Sequence, residues 1–546
     1  MIADVSISEK SFGPKVLMSQ VKFSIDDGEK VGVIGRNGVG KSTLFGILAG
    51  TDKDFTGDII YRRGVTVVAT AQEHHGLGDE TVLQYVLSGL PEYTELSHII
   101  ETYPLTMGDD MNKIEEYTAA LQRFDDKGFY QIESDIEREL DHFQLTGVAH
   151  RPFATLSGGQ KRLVEVVKIM HADAHLALVD EPTNHMDYVA KAQFVDWLKA
   201  AREAVLVITH DRDVLAEVDR IIEIKDGGSV SFKGNYDAYL KQNAVSTGSQ
   251  MNEFELIEKR IVNLKQKVID YQRLKEKSRN PGTIQKFKRL EEQSRAELAE
   301  LSAKEKPTFW IDKESVAELN YKVASQYDKF KAKNIRMNLK QDDSRSKHVI
   351  IQARDLALGY GETLLFDNIS IDLREGEALE LRGRNGAGKT TLIKRLLGDT
   401  SSTLFDGTLT LDPQVRIGVY EQEVSPRYFP LSLAEAIERI YLDKDLSISE
   451  TKVRQLMSDY LFTESDGHSP VERLSGGQKA RLQLIAMLAN DPQLLILDEP
   501  TNHLDLPSIE ELESALSKYN GATLYVSHDG YFRNALSGEV LQIGPA

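Results

Sequence analysis

Two stretches of this chain have the makings of a phosphate cradle. Gly35-Arg36-Asn37-Gly38-Val39-Gly40-Lys41-Ser42 recurs as Gly383-Arg384-Asn385-Gly386-Ala387-Gly388-Lys389-Thr390. Glycines at that spacing let backbone amides curl around phosphate oxygens, and a following helix adds its positive dipole end. Lys41 and Lys389 are placed to reach the β and γ phosphates, and Ser42 and Thr390 to hold Mg²⁺. Thr43 and Thr391 come next and join the nucleotide-binding set. Each copy continues to Leu-Ser-Gly-Gly-Gln, at 156–160 and 474–478, and then to Asp-Glu-Pro-Thr-Asn-His, at 180–185 and 498–503. Asp180 and Asp498 each end an apolar run, 23 residues past Ser157 and Ser475. An aspartate at a strand's carboxyl end predicts a Mg²⁺ contact. Glu181 and Glu499 follow directly, where they could orient or deprotonate an attacking water.

These groups need elements to hold them, and the repeat shows which. Ser475, Asp498 and His528 each lie 318 residues after Ser157, Asp180 and His210. Gly383 lies 348 residues after Gly35, and Gln422 lies 350 after Gln72. The first copy is therefore about 30 residues longer, and the extra length falls between Gln72 and Leu-Ser-Gly-Gly-Gln. The segment 92–145 is rich in Glu, Gln, Leu and Tyr and poor in Gly and Pro, which predicts an enlarged helical subdomain in the first half. Val31 to Ile34, Leu176 to Val179 and Val205 to Ile208 look like buried parallel strands, as do Leu379 to Leu381, Leu494 to Leu497 and Thr523 to Val526. Strands alternating with helical stretches predict an α/β fold in each half.

Between the halves, Ile257, Ile261, Leu264, Val268 and Tyr271 recur at spacings of four and three, the seam of a coiled coil. Asn280-Pro281-Gly282 breaks the pattern as a turn. Ile284, Phe287, Leu290, Leu298 and Leu301 offer an apolar face for a returning helix. The expected product is a two-helix hairpin. It is basic near its tip, with eleven Lys or Arg between Lys259 and Arg289 against Asp270 and Glu276. Pro307 to Asn338 reads as mixed helical and 341–347 as a polar joint. The expected domains are 1–240, 241–347 and 348–546.

Composition narrows the class. With 546 residues there is room for two units of over 200 residues and a connector. The net charge of −19 argues against a chain that coats nucleic acid throughout, and leaves room for the basic hairpin. There is no cysteine, so disulfides and thiolate metal sites are excluded and a reducing compartment fits. The N-terminus lacks a basic region and long apolar core, and no apolar run approaches the ~18 residues of a membrane span. The expectation is a soluble, cytoplasmic protein.

Taken together, Leu-Ser-Gly-Gly-Gln, Asp-Glu-Pro-Thr-Asn-His and a late strand-terminal His resemble the nucleotide-binding domains of ABC ATPases. The flanking residues and the duplication on one chain with a two-helix connector resemble the ABC-F family, over nearly the whole length. That resemblance implies two tandem domains, each a P-loop core with a helical subdomain, closing head to tail around two ATP molecules. It implies that Ser157 and Gly159 face the phosphate held by Lys389, and Ser475 and Gly477 the one held by Lys41. It assigns Gln72 and Gln422 to Mg²⁺ and water, His210 and His528 to the γ phosphate, and Asp187 and Asp505 to the domain interface. It places Phe12 and Tyr360 on adenine. Met186 stands where leucine is usual, and Phe12 where tyrosine is frequent; neither change removes a reacting group.

The resemblance also implies a partner. ABC-F proteins bind the ribosome beside the peptidyl-tRNA through this connector, so Lys275, Lys277, Arg279 and Lys286 are expected at RNA. The chain is then a monomer that closes on itself, serving either general translation or the protection of ribosomes from antibiotics. Resistance members often carry longer tips than the segment 278–285, which favours the general role. A rival expectation is the energising subunit of a membrane transporter, which needs separate membrane partners and usually lacks a charged hairpin. Repair and chromosome ATPases carry zinc-binding cysteines or longer coiled coils inside a half, and neither is present.

Overall fold

The computed structural model describes residues 1–13, 15–71, 79–108, 110–184, 186–302, 333–337, 348–421 and 424–544. They form two compact units, 1–236 with 335–546, and 237–334.

In the first unit each half is built on a parallel sheet. The first half orders its strands Gly228–Lys233, Arg220–Lys225, Lys30–Ile34, Ala204–Ile208, Leu176–Asp180 and Val67–Ala69, parallel apart from the terminal hairpin. The second half orders Ile417–Tyr420, Leu494–Asp498, Ala522–Val526, Ala378–Arg382 and Glu539–Gln542, all parallel. Parallel strands are covered on both faces, which is why these runs are continuously apolar. Every residue of Lys30–Ile34, Leu176–Asp180, Ala204–Ile208, Leu494–Asp498 and Ala522–Val526 is buried. The strands expected from sequence are these, extended by a residue or two.

An antiparallel sheet packs beside each parallel one. In the first half Ala3–Phe12 pairs with Lys15–Met18, Val21–Ile25 and Thr56–Tyr61. In the second, Val349–Tyr360 lies between Thr363–Arg374 and Thr403–Leu411. Ile7, Met18, Val33 and Leu44 share one core with Leu178 and Leu206. Their counterparts Leu356, Phe366, Leu381, Leu392, Ile496 and Leu524 share another.

The helical subdomains account for the difference in length. Helix Val82–Ser88 starts at a capping box on Thr81, and helix Leu433–Leu442 starts at one on Ser432. Thr81 bridges to Pro152, and Ser432 bridges to Pro470. Only the first half then inserts a helical hairpin, Tyr93–Thr106 and Met111–Asp126, before Ile132–His142. Tyr93, Phe124 and Phe129 cluster at its base, with ring centroids 5.2–5.8 Å apart.

The second unit is an antiparallel hairpin. Helix Tyr236–Lys277 runs for 42 residues, and Pro281–Ser302 returns for 22. Pro281 opens the return helix, where its missing N–H is harmless. Asn280 Oδ1 accepts the Gly282 amide at 2.9 Å. Leu264 and Val268 are buried in the seam, and Tyr271 stacks on Phe287 at 6.3 Å. Arg260 pairs with Glu297 and Lys275 with Glu291, each at 2.7 Å. The segment expected to be mixed helical and the polar joint fall largely outside the described residues.

Candidate active sites

The sheet order brings each chemical group to one edge. Lys30–Ile34 leads into the first glycine loop, Leu176–Asp180 ends on the aspartate, and Ala204–Ile208, lying between them, runs on to His210. Ala378–Arg382, Leu494–Asp498 and Ala522–Val526 repeat this arrangement with His528. Ligand sites of open parallel sheets form outside such carboxyl ends.

Helix Lys41–Leu48 starts at Gly40 with φ 108, and Lys389–Leu396 at Gly388 with φ 103. A β-carbon on Gly40 would lie 2.8 Å from Leu17, and one on Gly388 2.8 Å from Phe366. Both the backbone angle and the space therefore demand glycine. Gly35, Gly38, Gly383 and Gly386 complete the two loops. Lys41 Nζ donates to the Gly35 carbonyl and Lys389 Nζ to the Gly383 carbonyl, both at 2.6 Å, so each ammonium sits inside its own loop. Burial pulls both lysines below their ordinary value, against nearby acids.

Glu181 and Glu499 take left-handed backbone conformations, φ 46 and φ 49. Non-glycine residues held there store strain, and such strain gathers at functional sites. Each is pinned by its amide to the neighbouring strand, Glu181 to Ile208 at 2.8 Å and Glu499 to Val526 at 3.0 Å. Burial, reinforced by Asp180, pushes the Glu181 carboxyl up to about 8, and burial pushes Glu499 up to about 7. A general base works best with a value near the working pH, and its ionised form gains basicity as that value rises.

The histidines stand over the glutamates. His528 Nε2 lies 3.2 Å from Glu499 Oε1, and His210 Nε2 lies 3.6 Å from Glu181 Oε1. Burial first, then the neighbouring lysine, holds His210 down to about 3 and His528 to about 4. Both ring nitrogens of His210 and Oε1 of Glu499 are buried without a hydrogen-bond partner. Orphaned polar atoms facing a cavity fit a polar ligand such as a phosphate.

The residues also fit Mg²⁺. Thr390 Oγ1 donates to Asp498 Oδ2 at 3.1 Å, so hydroxyl and carboxylate are side by side. Ser42 and Asp180 hold the matching positions in the first half. No cluster of three or more His, Cys, Asp or Glu suited to a metal occurs among the described residues. Mg²⁺ needs none, because it takes one or two protein ligands and completes its shell from phosphates and water. Gln72, Gln422 and His185 lie outside the described residues.

Each site draws on the opposite half. Ser157, Gly159, Tyr360, Lys389, Glu499 and His528 line one cavity of about 840 Å³. Gly477 lies so close to Asn37 that a β-carbon on it would be 2.3 Å from Asn37 Nδ2. Ser157 and Ser475 cap their helices, each Oγ accepting the amide three residues on at 3.3 Å. The hydroxyl hydrogen of each is left to donate elsewhere. Asp187 Oδ2 accepts the Asn385 amide at 3.1 Å, and Asp505 Oδ2 the Asn37 amide at 3.4 Å. Burial works to raise Asp187, but the Ala190 and Asn385 amides and Arg384 outweigh it and hold the carboxyl low. Arg384 lies 3.7 Å from Asp187, and Arg36 lies 3.8 Å from Asp505. The two arginines were not among the expected site residues. Their recurrence in both loops was the available signal.

Phe12 and Tyr360 are 57% and 44% exposed at the ends of their strands, open to a planar ligand. Lys10 Nζ sits 4.9 Å from the Phe12 ring centroid, and Tyr360 OH lies 3.5 Å from Thr391 Oγ1. At the hairpin tip Lys277, Arg279 and Lys286 are exposed. Lys275 differs from the expected set, because its ammonium is committed to Glu291 on the return helix.

The ABC transporter family profile matches residues 18–184 and 366–502, more than half of the chain. The putative ATP-binding protein YdiF of Bacillus subtilis is 30% identical, covering 100% of this chain and 80% of its own length. The ribosome protection protein VmlR of Bacillus subtilis is 28% identical, covering 99% and 86%. The energy-dependent translational throttle protein EttA of Mycobacterium tuberculosis is 28% identical, covering 97% and 89%. Among the described residues no helix is long and apolar enough to cross a membrane. With two such regions on one chain and full-length likeness to these relatives, the chain belongs to the ABC family of ATPases, and within it to the ABC-F group.

Proposed function

We propose that the chain binds two ATP molecules with Mg²⁺ in head-to-tail sites, and that in this closed form it engages the ribosome. The observation that carries the reading is the reciprocal pairing of half-sites. Ser157 and Gly159 share a cavity with Lys389, while Gly477 abuts Asn37 in the first loop. Negative phosphates placed between such elements favour closure through contacts that exist only when the halves meet.

Within each site every residue is assigned a role. Lys41 and Lys389 leave their loop carbonyls for phosphate oxygens. Ser42 with Asp180, and Thr390 with Asp498, would hold Mg²⁺, which would neutralise phosphate charge. Gln72 and Gln422 are assigned to water and Mg²⁺. Glu181 and Glu499 orient the water and take its proton. His210 and His528 contact the γ phosphate, and Phe12 and Tyr360 stack on adenine. Ser157 and Ser475 donate to the phosphate held by the other half.

The hairpin supplies the cationic surface for RNA, which is recognised through phosphate and shape. EttA and VmlR, both named for action in translation or on the ribosome, align with nearly the whole chain. The short turn between Lys277 and Pro281 favours the general translation role over antibiotic protection.

The test uses the full chain carrying Glu181→Gln and Glu499→Gln. It is expected to bind ATP, remain closed and co-sediment with ribosomes in ATP but not in ADP. Sedimentation free of ribosomes in ATP, at low and moderate salt, overturns the ribosome assignment while leaving the ATPase intact.

A further inference from the structure

The segments that carry His210 and His528 are tied together by cations that come from the first half. Lys191, on helix Tyr188–Ala200, is 6% exposed. Its ammonium contacts Asp211 at 2.8 Å and Asp213 at 2.5 Å, the cap and first turn of the short helix Arg212–Leu215 that follows His210. It also donates to the main-chain carbonyl of His528, in the opposite half, at 3.0 Å. The His528 amide in turn donates to Glu499 Oε2 at 3.2 Å. One lysine therefore joins Asp211, the residue after His210, to His528, and through it reaches the glutamate of the second site.

Arg212 makes a parallel bridge. It is 5% exposed, pairs with Glu513, and reaches Asp529 Oδ2 at 3.2 Å. Its guanidinium lies 4.7 Å from the Tyr531 ring centroid. Asp529 caps helix Gly530–Leu536, taking the Tyr531 and Phe532 amides, so Arg212 grips the turn beside His528.

The repeat makes the asymmetry plain. The positions matching Lys191 and Arg212 are Ile509 and Gly530. Neither can donate a side-chain hydrogen bond, so the loop of His210 receives no equivalent bridge from them. The aspartates beside the histidines, Asp211 and Asp529, are present in both halves.

We propose that Lys191, assisted by Arg212, is a positioning residue that sets the geometry of Glu499 from the first half, so that the second site depends on a bridge with no counterpart at the first. Asp211 and Asp213 hold the Lys191 ammonium against the His528 carbonyl. Without Lys191 that carbonyl would lose its donor, and Glu499 the fixed amide that aims it. Ile509 and Gly530 supply no second bridge of this kind. This inference rests on the two-site reading above.

The test isolates each site in the full chain. Glu181→Gln leaves the second site to turn over, and Glu499→Gln leaves the first. Adding Lys191→Met to both is expected to lower the ratio of second-site to first-site turnover about ten-fold, the scale of one charge-assisted hydrogen bond. The fall should lie in kcat, with KM for ATP changed less than about two-fold, because the phosphate contacts are untouched. Lys191→Arg, which keeps the donor, should restore most of the ratio. An equal fall at both sites, a change confined to KM, an unchanged ratio, or an arginine variant no better than the methionine overturns the proposal. If the methionine variant does not fold, Arg212→Gln in the same two backgrounds decides it, with a smaller fall in the same ratio expected. Parents that hydrolyse no ATP overturn the two-site reading and this inference together.

Discussion

Asn37 donates its side-chain amide to the main-chain carbonyl of His503 at 2.8 Å. One residue belongs to the first glycine loop and the other to the loop after Glu499, so this bond crosses between the halves. Gly477 packs against the same asparagine, leaving no room for a methyl group.

Closure at the first site should therefore be harder in Gly477→Ala. A β-carbon 2.3 Å from Asn37 Nδ2 and 2.9 Å from its Cγ must displace the Asn37 side chain, breaking its bond to His503, or push the halves apart. The ATP concentration that half-closes the molecule, read by fluorescence transfer between dyes on the two halves, should rise about ten-fold, in line with the usual cost of overpacking. Adding Asn37→Gly removes the obstructing side chain and should recover part of the loss. A single variant that closes like the parent would falsify the contact.

Thr390 and Asp498 make a second prediction. Their hydrogen bond puts the hydroxyl where a Mg²⁺ ligand belongs. Thr390→Ala, measured with the first site silenced by Glu181→Gln, should raise the Mg²⁺ concentration for half-maximal hydrolysis by about 10-fold or more. An unchanged Mg²⁺ requirement with normal turnover would remove Thr390 from the metal site.

The histidines predict how stability responds to acid. Burial holds His210 at about 3 and His528 at about 4, well below the ordinary value of 6.5. From pH 6.5 downwards the unfolded chain binds protons at these sites and the folded chain does not. Folding stability is therefore intact above pH 6.5 and declines as pH falls towards the folded values. By pH 5 each histidine should remove about 2 kcal/mol. Urea midpoints measured without nucleotide should fall less steeply between pH 6.5 and 5 in a His210→Gln, His528→Gln double variant. Parallel curves would mean that the imidazoles are not kept neutral by the fold.

At the hairpin the structure divides the basic residues into two kinds. Lys277, Arg279 and Lys286 are exposed, so charge reversal there should weaken ribosome co-sedimentation and leave the hairpin folded. The salt dependence should flatten by about 0.7 to 0.9 in logarithmic slope for each phosphate that the tip no longer neutralises. Lys275→Glu should lower the hairpin's melting temperature instead, because it sets a second acid against Glu291. Equal salt slopes for parent and reversed variant would take the tip away from RNA.

Much of this site is legible in the sequence because it is local. The glycine loops, the strand-ending aspartates and the capping serines are set by neighbours within a few residues, and the repeat states each of them twice. The seam of the hairpin follows in the same way from the spacing of Leu264 and Val268. Cross-half relations are not local and left fainter traces. Arg36 and Arg384 gain meaning only when Asp505 and Asp187 are seen opposite them. Lys191 looks like any lysine on a helix until the carbonyl of His528 arrives beside it. Lys275 and Glu291 are 16 residues apart, and only the folded-back hairpin pairs them.

The capping boxes at Ser157 and Ser475 have a further consequence. Each serine satisfies its own helix start from within the same turn, by a bond that asks nothing of nucleotide. Departure of the triphosphate leaves these helices with no frayed end to rebuild. Halves that part on losing nucleotide would then separate as stiff blocks, with no helix terminus to refold.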